Sequence, residues 1–227
     1  ALESAHALAE ALQNGADTVV TGGGSQSNHV RLTAAAANKV GLQSVALCTT
    51  DSHQRNTGNL LLSKLLGIKV HFKTVADNDH WLLHPLMEKE CARLREKGHN
   101  PYLIPLSGTT PLACLGYIRC ALELDQQFEE AGIEPTAIYV TSGTGGNLAA
   151  LTLGMALVGR HPRIVGINVN RTGPTAIKLA DQWMKETANL LETRPQGQFE
   201  MDGRFVGNGY GAMTDSCHDA ILMLART

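Results

Sequence analysis

Long apolar runs are missing from this chain: no stretch of 18 apolar residues occurs, and the first residues, Ala-Leu-Glu-Ser-Ala-His, read as amphipathic helix with neither a basic head nor an apolar core. A soluble protein with no membrane partner is predicted. Charge of one sign is also missing. Charged residues make up 18% and the net charge is -2, so there is neither the basic excess of a nucleic-acid binder nor an acidic tail. The five cysteines, Cys48, Cys91, Cys114, Cys120 and Cys217, are odd in number, scattered and without CxxC spacing. That pattern argues against a disulfide framework and a zinc site, and it fits a reducing cytoplasm. No histidine pair has HxH or HExxH spacing, so no metal site is expected.

What is present is enough apolar material, 43%, for a substantial core, in a chain of 227 residues that is long for one domain and short for two large ones. Short β-rich runs (18–20, 44–47, 69–72, 102–104, 137–140 and 164–169) alternate with helical patterns about 10 to 20 residues long. Such alternation means βαβ units with right-handed crossovers, and therefore an α/β fold with helices on both faces of mostly parallel sheets. A turn-like stretch, Pro105-Leu106-Ser107-Gly108-Thr109-Thr110-Pro111, suggests a boundary between a domain at 1–110 and one at 111–227. Residues 193–203 have the composition of an exposed loop. The chain starts on a residue other than Met, and helical patterns run to both ends (1–12 and 215–225) without outer caps, which suggests a fragment.

Two strands lead into glycine-rich loops. In Ser142-Gly143-Thr144-Gly145-Gly146-Asn147 three glycines permit positive φ, so successive N–H groups can converge on an anion at the N-terminus of a helix expected from Leu148. Ser142, Thr144 and Asn147 add side-chain donors. No Gly-Lys-Ser/Thr follows and Leu148 stands where GxGxxG needs a glycine, so ATP and NAD lose ground. The bland alternative is a tight turn that lets helix pack on strand. The second loop, Gly22-Gly23-Gly24-Ser25-Gln26-Ser27-Asn28-His29-Val30-Arg31, opens an alanine-rich helix with Ser27 or Asn28 as N-cap. Capping and turning explain much of it, and His29 and Arg31 could simply face solvent. A dinucleotide reading would use Gly22, Gly24 and Asp51, but Ser27 fills the third glycine position. A third cluster, Gly207-Asn208-Gly209-Tyr210-Gly211, either aims Tyr210 into a cleft or is an ordinary turn.

Taken together, Gly23 to Arg31 as quoted, Gly58-Asn59-Leu60-Leu61, Gly116-Tyr117, the loop from Ser142 to Asn147 and Gly209-Tyr210-Gly211 resemble the D-cysteine desulfhydrase and 1-aminocyclopropane-1-carboxylate deaminase family. The matched blocks run in order from about Leu2 to Leu224. The string Gln-Ser-Asn-His-Val-Arg is closer to the desulfhydrases than to the deaminases, which read Gln-Ser-Asn-Gln. The resemblance implies two parallel-sheet, three-layer domains of the tryptophan synthase β-like architecture (fold type II), with the second domain incomplete. It also implies pyridoxal 5′-phosphate as cofactor, a small amino acid as substrate, and a homodimer. By the same resemblance Asn28 holds the 3′-oxygen of the pyridoxal ring, and Ser27 and His29 sit at the substrate carboxylate and reacting face. Ser142, Gly143, Thr144, Gly145 and Gly146 hold the cofactor phosphate, and Tyr210 lies near ring and substrate.

In that family a lysine within Asn-Lys-x-Arg-Lys-Leu-Glu forms the Schiff base, and Ala1-Leu2-Glu3 resembles the tail of the motif, so the lysine would precede residue 1. None of the eight lysines here matches it. A second active-site tyrosine and the ligand of the pyridine nitrogen would follow Thr227, and the chain as given should turn over little. Where the desulfhydrases read Gly-Gly-Ser-Asn, this chain reads Ser107-Gly108-Thr109-Thr110. The implied activity is β-elimination from D-cysteine to pyruvate, hydrogen sulfide and ammonia. Ring opening of 1-aminocyclopropane-1-carboxylate and sulfite release from L-cysteate remain alternatives. From another class, so do a noncatalytic remnant of the fold and a nucleotide-binding module.

Overall fold

In the computed structural model, residues 2–49, 56–76, 80–170, 174–209 and 211–227 are described. The chain divides into two compact units, Ala1–Gly116 and Tyr117–Thr227.

The first unit contains α1 (Leu2–Gln13), β1 (Thr18–Gly23), α2 (Asn28–Lys39), β2 (Gln43–Thr49), α3 (Gly58–Leu65), β3 (Lys69–Lys73), α4 (His84–Glu96) and β4 (Pro101–Leu103). Its four strands are parallel in the order β3-β2-β1-β4, with Thr18 opposite both Gln43 and Pro101. All six residues of β1 are buried, as a central parallel strand requires. The pleat sends successive side chains to opposite faces. Val19 joins Leu8, Ala11, Ala37 and Ile104 on one face, while Val20 joins Leu47, Leu83, Met87 and Leu94 on the other. Leu47, Leu83 and Met87 are almost wholly buried, and each contributes ~1.5–3 kcal/mol of transfer free energy. On α2 the buried positions next to the sheet include Ala34 and Ala37, whose small side chains let the helix lie close to it.

Helix α5 (Pro111–Ala131) crosses the division, and the second unit continues with β5 (Ala137–Ser142), α6 (Gly146–Leu157), β6 (Arg163–Asn168), α7 (Pro174–Leu190), β7 (Phe199–Asp202) and α8 (Asp215–Ala225). Its sheet is β5-β6-β7, again parallel. Helix α6 is buried at nine positions, from Gly146 to Met155. Gly154 permits close packing, since a Cβ there would stand 2.5 Å from that of Ala121 on α5. One expectation is corrected: residues 193–203 are not all loop, because 199–202 form β7 beside β6. Phe199 and Met201 pack on the Leu148–Ile164 cluster while Glu200 turns outward to Arg163. Four alternating residues after a Pro-Gly stretch are too short a signal to stand out. Among the described residues no helix is long and apolar enough to cross a membrane, and no cluster of His, Cys, Asp or Glu could hold a metal ion. Among the described residues none of the five cysteines forms a disulfide.

Candidate functional site

The loop after β1 sits where parallel strands of an open α/β sheet end, the usual position for a ligand site. Ser27 is the N-cap of α2: it has extended backbone (φ -65°, ψ 123°), and its Oγ accepts from the Val30 N–H at 3.3 Å. The sequence left Ser27 and Asn28 open as cap; the structure selects Ser27 and places Asn28, exposed, at the first helical position. A side chain at Gly23 would crowd the cap, because a Cβ would lie 3.0 Å from Ser27 Oγ.

His29 is only partly exposed and its ring turns to Thr21. Its Nε2 lies 2.8 Å from Thr21 Oγ1, and that hydroxyl also donates to the Ile104 carbonyl at 3.1 Å. A hydroxyl has one proton, so with it committed to Ile104 the Thr21 oxygen accepts, and His29 carries its proton on Nε2 with the lone pair on Nδ1. The ring packs over Gly108, where a Cβ would come within 2.9 Å of Cε1. Ser107 (φ 63°) and Gly108 (φ 69°) are consecutive left-handed residues, the first of them strained by its side chain. Burial lowers the His29 pKa to about 4, so the imidazole is neutral near pH 7.

A polar clasp ties this loop to the start of α3. Asn59 Nδ2 donates to the Gln26 carbonyl and to Asn28 Oδ1, both at 2.9 Å, and Asn59 Oδ1 accepts from Arg31 Nε at 2.9 Å. The Asn59 backbone N–H donates to Gln26 Oε1 at 3.0 Å, and Gln26 Nε2 donates to the Thr57 carbonyl at 3.2 Å. Gly58 (φ 54°) leaves room for it, since a Cβ would stand 2.6 Å from Gln26 Oε1.

In the second unit β5 ends at Ser142 and α6 starts at Gly146, two residues before the expected Leu148. The N-cap, Gly145, has φ 87°, and a Cβ there would lie 2.9 Å from the Ala180 Cβ and 3.2 Å from its nitrogen. The backbone of α7 therefore rests on the loop. Trp183 on the same helix donates its indole N–H to the Thr144 carbonyl at 3.2 Å. Asn147 departs from expectation: its Nδ2 is committed to the Thr141 carbonyl at 2.7 Å and its Oδ1 to the Leu148 N–H, so it braces the loop instead of offering a donor. Ser142 is wholly buried, and its Oγ has no hydrogen-bond partner among the described residues. Thr18, Thr33 and Thr187 share that state, on β1, α2 and α7 and outside the two glycine-rich loops. Gly143 has open space where a Cβ would be.

A buried hydroxyl without a partner among the described residues, a left-handed glycine at Gly145 required by close approach, and the N-terminus of a largely buried helix fit a phosphate group. The second unit also has a cavity of about 580 Å³, lined among others by Arg160, Arg163, Gly197 and Glu200. It opens at the start of β6, the other end of the sheet from Ser142, and its arginines are already paired with Asp125, Glu134 and Glu200.

Of the residues singled out from sequence, Ser27, Asn28 and His29 come together in the first unit and Ser142, Gly143, Thr144, Gly145 and Gly146 in the second. Tyr210, Asp51 and Ala1 lie outside the described residues. Thr21, Asn59, Ala180 and Trp183 were given no role from sequence. Asn59 alone carried a signal, through its place in the Gly58-Asn59-Leu60-Leu61 block.

A family model described as pyridoxal-phosphate dependent enzyme matches residues 1–227. Two D-cysteine desulfhydrases from strains of Klebsiella pneumoniae are 33% and 32% identical over 223 residues, covering 96% of this chain and 66% of each relative. The chain thus spans just under two thirds of their length. The crystal structure of an ACC deaminase homologue superposes with a TM-score of 0.90 at 31% identity, covering 99% of this chain and 68% of that one. Maize serine racemase, with a TM-score of 0.54 at 21% identity over 73% of this chain and 45% of that one, shares the fold.

Proposed function

Because the chain belongs to the pyridoxal-phosphate dependent enzymes, we propose that the protein is a carbon–sulfur lyase that eliminates sulfide from D-cysteine, giving pyruvate and ammonia. The observation that carries the cofactor half is Ser142, a buried hydroxyl without a partner among the described residues, at the head of a glycine-framed helix. In this reading Ser142, Gly143, Thr144, Gly145 and Gly146 bind the cofactor phosphate, with Trp183 and Asn147 keeping the loop in shape. Asn28 donates to the 3′-oxygen of the ring. The bound cofactor supplies an electron sink for charge left at the substrate Cα.

The residues of the first unit then handle the substrate. Ser27 and the opening N–H groups of α2 attract its carboxylate. His29 is neutral and anchored through Nε2 to Thr21, so Nδ1 is the atom able to take or return a proton. Tyr210 belongs to the same proposal. Support for D-cysteine comes from the desulfhydrase relatives and from His29 itself. A homodimer in the cytoplasm completes the reading.

The test is to express the complete open reading frame that encodes these residues, add pyridoxal 5′-phosphate, and measure sulfide and pyruvate from D-cysteine. 1-Aminocyclopropane-1-carboxylate and L-cysteate are run in parallel. Sulfide and pyruvate in equal amounts are expected; no sulfide from D-cysteine alongside turnover of either alternative reassigns the substrate, and no cofactor binding overturns the reading. Light scattering reports the oligomeric state.

A further inference from the structure

The clasp around Asn59 determines more than the shape of the loop. An amide side chain can be turned over, exchanging its donor and acceptor ends, and only its neighbours decide which way it points. For Asn59 they leave no choice. One end meets the guanidinium of Arg31, which only donates, at 2.9 Å; the other meets the Gln26 carbonyl, which only accepts, at 2.9 Å. The Asn59 oxygen therefore faces Arg31 and its NH2 faces Gln26. The second hydrogen of that NH2 points to Asn28 at 2.9 Å, so the end of Asn28 it meets is the oxygen, which Arg31 also approaches at 3.4 Å. The remaining end of Asn28, its NH2, has no partner among the described residues and stands on an exposed residue in the first turn of α2.

We infer that Asn59, oriented by Arg31 and the Gln26 carbonyl, is a positioning residue that fixes the polarity of Asn28, so that this site presents an N–H donor pair and selects a ligand oxygen that accepts, such as an aromatic oxyanion. The inference rests on the proposed reading of Asn28 as a cofactor contact. It adds a residue with no ligand contact of its own, 31 positions along the chain from Asn28.

Two substitutions separate polarity from mere support. In Asn59→Asp the carboxylate keeps its attraction for Arg31 but has no hydrogen to give, so Asn28 turns over to donate to it and offers its carbonyl to the ligand. In Asn59→Ala the clasp is lost and only the longer Arg31 contact still favours the original orientation of Asn28. Titration of pyridoxal 5′-phosphate, followed by tryptophan fluorescence, is expected to give ~10- to 100-fold weaker binding for Asn59→Asp, the factor for a hydrogen bond to a charged group. Asn59→Ala falls between it and the parent. Inorganic phosphate, titrated as a control for the loop at 142–146, should bind all three within about twofold, the spread expected for a site without the altered contact. A purely supporting role predicts the opposite order, with Asn59→Ala the weaker, and that order overturns the inference, as does equal weakening for both ligands.

Should the parent protein bind neither ligand, the functional reading falls while the inference is still tested by NMR of the Asn28 side-chain amide. Fast exchange of its NH2 in the parent and slowed exchange in Asn59→Asp are expected. Identical Asn28 signals in the two proteins overturn it.

Discussion

Replacing Ser142 by alanine should move stability and ligand affinity in opposite directions. Ser142 Oγ is buried without a partner among the described residues, and such a group costs ~1–3 kcal/mol relative to one left in water. Deleting it in the ligand-free protein is therefore expected to stabilise by ~1 kcal/mol, a rise in Tm of ~2–4 °C for a chain of this size. With phosphate bound, the same hydroxyl donates to an anion, and its loss weakens binding by ~1.5–3 kcal/mol, or ~10- to 100-fold. Linkage then reverses the order. At a ligand concentration ~100 times its Kd the parent gains ~2.7 kcal/mol, while a variant bound ~30-fold more weakly gains only ~0.9 kcal/mol. The assay is thermal unfolding of both proteins against rising inorganic phosphate or pyridoxal 5′-phosphate, where the two Tm curves cross. A variant less stable than the parent without ligand, or equal to it in affinity, would falsify the assignment of Ser142 to the phosphate.

Gly145→Ala meets two obstacles, a φ of 87° and a Cβ 2.9 Å from that of Ala180. We expect a loss of ~3 kcal/mol in urea unfolding, only partly restored by Ala180→Gly because the backbone strain stays; full restoration would refute the strain component. Thr21→Val should leave both the Ile104 carbonyl and His29 Nε2–H without a partner, at a cost of ~1–3 kcal/mol. NMR of the imidazole should then show a mixture of tautomers, whereas Thr21→Ser keeps the Nε2–H form; one tautomer in both variants counts against the hydroxyl's role. The lowered pKa of His29, about 4 against an ordinary 6.5, makes the unfolded chain bind more protons than the folded one between those values. Its contribution is thus complete above pH 6.5 and declines as pH falls towards 4, by up to ~3 kcal/mol. His29→Asn should lack that part of the acid slope in denaturation measured from about pH 7 to 4, and parallel slopes for the two proteins would reject it.

Much of the fold was legible along the chain because its signals are local. The run Thr18-Val19-Val20 between turn residues reads as a strand, the alanines after Asn28 read as a helix, and Ser27 or Asn28 before them as its cap, each decided within a few residues. The glycine loop at 142–147 was legible as a strand-to-helix turn for the same reason: three glycines between strand and helix have few uses. Strand β7 was not, since Phe199, Glu200, Met201 and Asp202 become a strand only when Ile164 to Ile167 lie beside them. Roles assigned to single polar atoms also failed locally, as Asn147 shows by turning its donor back to Thr141.

The sequence by itself determined the class of fold, the two glycine loops and the residue types able to meet a phosphate and an amino acid, because turn, cap and periodicity chemistry acts between near neighbours. Only the tertiary structure decided which way those groups point. The tautomer of His29 depends on Ile104, far along the chain, through Thr21; the polarity of Asn28 depends on Asn59; and the shape of the glycine loop at 142–147 depends on Ala180 and Trp183 of a later helix. Hydrogen-bond direction and close packing are set by whichever atoms arrive in contact, and here those atoms come from distant parts of the chain.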